Sequence, residues 1–141
     1  MEILVAVFVL SIGLLGMAGL QINGMNSTKS AQSRTLATFA AYDIIDRMRT
    51  NTDGVSGGDY DSVSCSSSGS LPSCISSGTG CSTADLASYD IYDWCTNYVD
   101  TLPDGSATVS KSGNIHTIAV NWTEASDADN PTKTVTVTVR F

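Results

Sequence analysis

The chain has 141 residues, enough for one domain but too few for two sizeable hydrophobic cores. It carries 14 acidic and 7 basic residues, and after residue 52 only Lys111, Lys133 and Arg140 are basic. Nucleic-acid binding needs clustered cations that neutralise phosphates, so this acidic C-terminal part excludes such a function.

Residues 3–20 form the first predicted element and contain no charged side chain. Eighteen helical residues extend about 27 Å, close to the thickness of a bilayer core. A signal peptide would need a basic leader and a shorter apolar stretch. Here the acid Glu2 precedes the run and the next cation is Lys29. The pattern therefore favours a helix buried in lipid or among other chains.

Gly13, Gly16 and Gly19 interrupt this apolar run. Glycine costs about 1 kcal/mol relative to alanine inside a helix. Small residues also allow two helices to approach closely, and the spacing of three keeps these glycines loosely on one side. Close helix packing and a locally extended segment would both explain them, and the sequence leaves the two open.

The helix is predicted to continue over residues 26–52 as an amphipathic half, because residues 26–50 contain neither Gly nor Pro. Apolar residues recur there at helical spacing, at Ala41, Ile44, Ile45 and Met48. Gly54, followed by two further glycines, is expected to end it. Residues 1–25 are thus the apolar half, predicted to be buried in lipid or in other subunits, and residues 26–141 a globular head.

Residues 54–81 are rich in Gly and Ser, which predicts a loop with too little apolar material to order itself. The four cysteines are Cys65, Cys74, Cys81 and Cys95. An even number of cysteines behind a membrane-type N-terminus predicts two disulfides in an oxidising compartment. A zinc site is disfavoured because no C-x-x-C pair is present.

A second helix is predicted over residues 83–102, since Ser82 and Asp85 have capping-box spacing and Pro103 follows. A continuous helix would separate Cys81 and Cys95 by about 20 Å, beyond the roughly 7 Å that a disulfide spans. Two pairings remain: 65–95 with 74–81, or 65–81 with 74–95. The first is favoured.

The remaining residues, 106–141, predict a three-stranded antiparallel meander, and the chain is therefore predicted to be α+β. Strands are expected at residues 106–110, 115–122 and 133–141, where apolar and polar residues alternate. A turn is expected at residues 111–114.

No catalytic group, metal or cofactor is predicted. His116 is the single histidine and alternates with core residues of a strand, which is typical of a structural role. No serine lies in a G-x-S-x-G elbow. Asp59 with Asp61, and Asp127 with Asp129, offer alternating oxygen ligands but lack a full calcium-loop pattern. Trp94 and Trp122 are expected in the core.

Residues 1–21 read MEILVAVFVLSIGLLGMAGLQ. This segment is similar to the mature N-terminus of PilV-type minor pilins, and the order of elements resembles the type IV pilin family. Residues 41–49, 87–94, 102–105 and 120–122 also resemble that group. The resemblance implies the pilin lollipop: a long N-terminal helix packed on a small antiparallel sheet, with a disulfide-stapled loop and a second helix.

The resemblance further implies a minor pilin that helps to prime pilus assembly and is incorporated into the filament. Glu2 would then pair with the N-terminal amine of a neighbouring subunit. Partners would be other pilins, the inner membrane before assembly, with the head in the periplasm, and the pilus assembly machinery. No small-molecule substrate is implied, and the pilus would be extracellular, with roles in adhesion and twitching motility.

Three alternatives stay open: a major shaft pilin, a pseudopilin of type II secretion, and a membrane-anchored adhesin. The family also implies a basic leader ending in glycine and a methylated phenylalanine four positions before the acid. As written, the sequence starts one residue before Glu2.

Overall fold

The computed structural model describes residues 2–67, 70–77 and 80–141. The helices are α1 (Glu2–Thr50), α2 (Thr52–Gly57), α3 (Cys74–Ser77) and α4 (Thr83–Trp94), with a 3-10 turn at Cys65–Ser67 and a π-helical turn at Cys95–Val99. The strands are β1 (Ser62–Ser64), β2 (Ser106–Ser112), β3 (Ile115–Thr123) and β4 (Thr132–Arg140). The predicted α+β class, with a long N-terminal helix, an antiparallel sheet, a second helix and disulfides, is confirmed.

The chain divides into two compact units, Met1–Gln32 and Ser33–Phe141, here called the N-terminal unit and the head unit. The described residues of the N-terminal unit are helical throughout. The hydroxyl of Ser11 donates to the carbonyl of Val7 at 2.7 Å, and that of Thr28 to the carbonyl of Gly24 at 2.9 Å. The helix thus satisfies both hydroxyls within itself, as an apolar environment requires.

The head unit has one hydrophobic core, to which the second half of α1, α4 and the sheet all contribute. The buried stripe of α1 contains the four predicted residues and two small ones that let the helix approach closely: Ala37, Ala40, Ala41, Ile44, Ile45 and Met48. Trp94 and Trp122 are both buried, as predicted. The indole nitrogen of Trp94 donates to the carbonyl of Ala40 at 2.8 Å, which ties α4 to α1.

The end of α1 differs from the prediction. The helix stops at Thr50, and Gly54 lies inside α2 instead of ending α1. The cause is Asn51, whose side-chain oxygen accepts from the Gly54 amide at 3.2 Å and so caps a new helix. Gly58, with a φ of 87°, ends α2 in the left-handed region that glycine tolerates.

The predicted loop over residues 54–81 is more ordered than its composition indicated. It contains most of α2, then β1, the 3-10 turn and α3. Tyr60 and Val63 of this segment are buried in the core and attach the segment to the head, which its high Gly/Ser content did not indicate. Residues 68, 69, 78 and 79 of the segment lie outside the described residues.

The second helix begins where predicted: the Ser82 hydroxyl accepts from the Asp85 amide at 3.1 Å. The predicted α-helix to residue 102 is too long. The α-helical part, α4, ends at Trp94, and the π-helical turn that follows it ends at Val99. Leu102 is buried beyond it. A Cβ on Gly105 would lie 2.0 Å from the carbonyl oxygen of Val99, so this turn requires a glycine.

The sheet has four strands in the order β1-β2-β3-β4, all antiparallel, so the predicted meander of three strands was one short. The missed strand, β1, has three residues and lies in the Gly/Ser-rich segment. β2 also runs to Ser112, inside the predicted turn. Alternate residues of β3 are buried, from His116 to Trp122, which confirms the period-two pattern there.

Candidate assembly interface

The N-terminal unit presents an apolar surface to its surroundings. No charged residue occurs from Ile3 to Thr28, and every residue of this segment is exposed within the chain. Ile3 is 80% exposed and Leu20 is 74% exposed. By length and composition, α1 is able to cross a membrane. A patch of this extent marks a surface that lipid or another protein covers.

Glu2 stands at the start of this segment, in the first turn of α1. Its carboxylate is favourably placed there, because the N-terminal end of a helix carries partial positive charge. It adjoins a surface depression lined by Val5, Ala6, Val9 and Leu10. No described residue forms an ion pair with Glu2. An acid beside so much apolar surface is stabilised when a cation reaches it.

Gly13, Gly16 and Gly19 lie in unbroken α-helix, so of the two explanations left open, the locally extended segment is not the conformation of this chain. A Cβ added at any of the three would have no described atom within 4 Å. Nothing among the described residues therefore requires glycine at these positions.

Arg47 connects α1 to α4 in the head unit. Its Nε donates to Asp43 and its Nη2 to Asp93, both at 2.6 Å, and its Nη1 lies 3.6 Å from a carboxylate oxygen of Asp90. Its guanidinium lies 5.6 Å from the centre of the Tyr98 ring. Removing one member of such a half-buried set leaves charges uncompensated, at a cost of about 3 kcal/mol.

Asp90 is also held from its other side. The Tyr60 hydroxyl donates to it at 2.6 Å, and the Asn51 amide donates to the Tyr60 oxygen at 3.1 Å and to the carbonyl of Thr83 at 2.8 Å. Burial raises the pKa of Asp90, although its contacts with Tyr60 and Arg47 oppose the shift. Burial and the bond to Asp90 also raise the pKa of Tyr60, so it remains a donor at neutral pH. This network connects α4 to the segment that follows α1.

The structure contains the favoured disulfide pairing, Cys65–Cys95 and Cys74–Cys81, each with Cα atoms 5.2 Å apart. The first bridge joins the 3-10 turn to the π-helical turn across a sequence separation of 30 residues, and the second spans a separation of 7. Loop-closure entropy assigns the longer bridge about 3.6 kcal/mol and the shorter about 2.4 kcal/mol. The bridges thus stabilise the segment that is poorest in apolar residues.

Two of the four acids considered as calcium ligands, Asp61 and Asp127, have other partners. Asp61 accepts from Lys111 at 3.0 Å and lies 3.1 Å from the Nε2 of His116, a histidine buried in β3. Asp127 accepts from Lys133 at 2.6 Å. Within the described ranges, no three His, Cys, Asp or Glu side chains are grouped closely enough to hold a metal ion.

Sequence reasoning missed the ion cluster around Arg47. The signal available was the spacing of four between Asp43 and Arg47, which allows an ion pair on one helix face. Nothing local indicated the bonds from α1 to α4, since the partners are 46 residues apart.

A scan against protein-family models matches residues 19–92 to the Tt1218-like family, described as Type IV pilin Tt1218. The match covers more than half of the chain. The chain belongs to the Tt1218-like family of type IV pilins. No curated protein and no solved structure matched it. Membership implies a structural subunit of a pilus, not an enzyme, and assembly with other pilin subunits.

The match begins within the N-terminal unit of this pilin and ends inside α4, so it includes the Cys74–Cys81 disulfide and Cys65 but stops before Cys95. An apolar N-terminal helix in a type IV pilin is consistent with membrane anchoring and pilus assembly. The resemblance of residues 1–21 to PilV-type minor pilins is a narrower expectation than family membership.

Proposed function

We propose that this pilin is built into a type IV pilus by packing residues 3–28 of α1 against the corresponding helices of other subunits, while the head faces outward. The observation that carries the proposal is the contrast in burial along α1. Residues 2–29 are all exposed, whereas residues 37–48 bury a complete apolar stripe within the head unit. Removing such apolar area from lipid and water drives helix bundling. Before assembly, the same segment would anchor the protein in the inner membrane, with the head in the periplasm.

Glu2 is proposed to select a subunit for incorporation by pairing with the N-terminal amine of its neighbour. The charge-free segment that follows it supports this role, since the pair would form beside apolar surface where Coulomb attraction is poorly screened. Gly13, Gly16 and Gly19 are proposed to permit the close approach of neighbouring helices.

The test replaces Glu2 by Gln, which keeps the size of the side chain, and by Asp, which keeps the charge. Glu2→Gln should leave the protein in the inner membrane and at least tenfold depleted from sheared pili, as measured by immunoblot, an energy difference of about 1.4 kcal/mol. Glu2→Asp should retain partial incorporation. Normal incorporation of Glu2→Gln would reject the role of Glu2.

We further propose the minor position that the PilV-like N-terminus implies, in which the subunit joins other minor pilins in a priming complex and promotes pilus extension with the assembly machinery. The shaft is the second candidate position. It is favoured by two stripes on α1 with matched spacing, Gly19 to Lys29 and Leu36 to Asp46, which would let copies of one chain contact each other repeatedly.

Counting copies of this chain in purified filaments separates the two positions: a few copies per filament indicate a minor pilin, and one per repeat indicates the shaft. Deleting the gene separates the remaining classes. Loss of pili supports priming or shaft, and retained pili with lost attachment supports an adhesin. Retained pili with lost protein secretion supports a pseudopilin.

A further inference from the structure

The head unit exposes an aromatic groove that its own core does not use. It lies between α1 and the π-helical turn, and its lining includes Leu36, Phe39, Tyr42, Asp46 and Tyr98. Phe39 is 64% exposed and Tyr42 is 53% exposed, on the side of α1 opposite to the buried stripe. Single exposed apolar residues are ordinary, but a connected aromatic surface on one helix face marks a contact site.

The acidic end of this groove favours the binding of a cation. The carboxylate of Asp46 is 71% exposed, and its ion-pair partner among the described residues is Arg49, which is itself 59% exposed and lies 3.0 Å away. Such a surface pair contributes little and is easily exchanged. The occupant should therefore be apolar over most of its length and basic at one end.

The N-terminal unit carries a stripe of that chemistry. Gly19, Ile22, Met25 and Lys29 are exposed, and no described residue forms an ion pair with Lys29. Their spacing is three, three and four residues, the same as that of Leu36, Phe39, Tyr42 and Asp46. Every residue of the first stripe thus lies 17 positions before its counterpart in the second.

We propose that the groove of one subunit receives α1 of a second copy of this chain, lying parallel and displaced by 17 residues, about 26 Å along the helix. Gly19 of the second copy then makes room for Leu36, and Ile22 packs on Phe39. The Met25 thioether contacts the Tyr42 ring, a favourable sulfur–aromatic pairing. Lys29 reaches Asp46.

The relation between the two stripes explains why this contact extends into a filament. The two stripes consist of different residues, 19–29 in the N-terminal unit and 36–46 in the head unit. A subunit therefore offers one surface to the copy on one side and a different surface to the copy on the other. Such heterologous contacts propagate into open helical arrays unless the rotation closes a ring. The inference rests on the proposed incorporation into a filament at the shaft position, where copies of this chain lie side by side.

Charge reversal with rescue tests the Lys29–Asp46 contact in the full-length protein expressed in piliated cells. Lys29→Asp and Asp46→Lys should each lower the amount recovered in sheared filaments about tenfold, because each opposes like charges. The double variant should recover most of the loss. Asp129→Lys, at an exposed position in the β3–β4 connection, makes the same change in net charge as Asp46→Lys; it is the control for that variant and should incorporate normally.

A cysteine pair tests the register. Met25→Cys with Tyr42→Cys should give a ladder of disulfide-linked multimers from oxidised filaments on non-reducing gels, and each single variant should give none. Filaments that contain the protein but show neither rescue nor a ladder would overturn the inference and leave the proposed function intact. Absence of the wild-type protein from filaments would reject the proposed function itself.

Discussion

The two units of this pilin differ in how much of their apolar surface they bury within the chain. The head unit buries its own, with Ile44, Trp94 and Ile118 fully inaccessible to solvent. The N-terminal unit buries almost none, and side chains such as Ile3 remain 80% exposed. The difference teaches that the head is a complete fold, whereas the N-terminal helix is a structure that only lipid or other subunits can complete.

The same contrast holds for the glycines. Gly105 in the head is fixed by its own fold, because a side chain there would collide with the carbonyl of Val99. Gly16 in α1 meets no described atom within 4 Å. The fold of the head therefore requires glycine at position 105, whereas the described residues do not require it at position 16.

Removing Met1–Gln32 should produce the largest effect. Residues 33–141 should stay folded and monomeric in buffer without detergent, since the core includes no residue before Ala37. The full-length chain should partition into membranes or detergent, because more than ten exposed apolar side chains at about 1.5–3 kcal/mol each favour transfer by tens of kcal/mol. Sedimentation and circular dichroism with and without detergent measure both outcomes.

The full-length chain in detergent serves as the control, and it should show the same thermal unfolding transition of the head. A truncated protein without cooperative unfolding would mean that the head depends on the removed residues. A full-length chain that is monomeric without detergent would contradict the assembly function.

Much of the fold could be predicted because its signals are local. The amphipathic stripe of α1, the Ser82 cap and the alternation in β3 depend on residues within a few positions of each other. The short strand β1 could not be predicted, since three residues of Ser-Val-Ser gain strand character only by pairing with β2, about 46 positions away.

The candidate interface divides in the same way. The charge-free segment after Glu2 is visible in the sequence, and so is the spacing of Gly13, Gly16 and Gly19. The groove around Phe39 and Tyr42 is not, because its second wall comes from the π-helical turn and includes Tyr98. The sequence also could not show that Asn51 would end α1 by capping α2.

Substituting one glycine in each unit tests the same comparison of the two units, with a smaller expected effect than the truncation. Gly105→Ala should lower the free energy of unfolding of the head by about 1–3 kcal/mol, because the backbone must move to admit the methyl group. Gly16→Ala should leave the melting temperature of the head unchanged and, if close packing explains this glycine, reduce recovery in sheared pili. Chemical denaturation and immunoblotting give the two measurements. If both variants lowered the stability of the head equally, the claim that the head requires Gly105 but not Gly16 would be wrong.

The smallest expected effect is a pH dependence confined to the head. Desolvation acts to raise the pKa of Asp61, but the hydrogen bonds and charges of Lys111 and His116 outweigh it and hold that pKa below its ordinary value. The unfolded chain therefore binds a proton at Asp61 more readily than the folded chain. The stabilising contribution of Asp61 is fully present above the unfolded pKa of about 3.8 and is lost as the pH falls through the lower folded value.

Asp90 should behave in the opposite sense, because burial raises its pKa in the folded state. As the pH falls towards that raised value, the folded chain binds a proton more readily than the unfolded chain and gains stability. Unfolding of wild type, Asp61→Asn and Asp90→Asn by denaturant between pH 3 and pH 7 separates the two. The advantage of wild type over Asp61→Asn should shrink at the acidic end, and its advantage over Asp90→Asn should grow. Parallel curves for all three proteins would show that the folded head shifts the pKa of neither carboxylate.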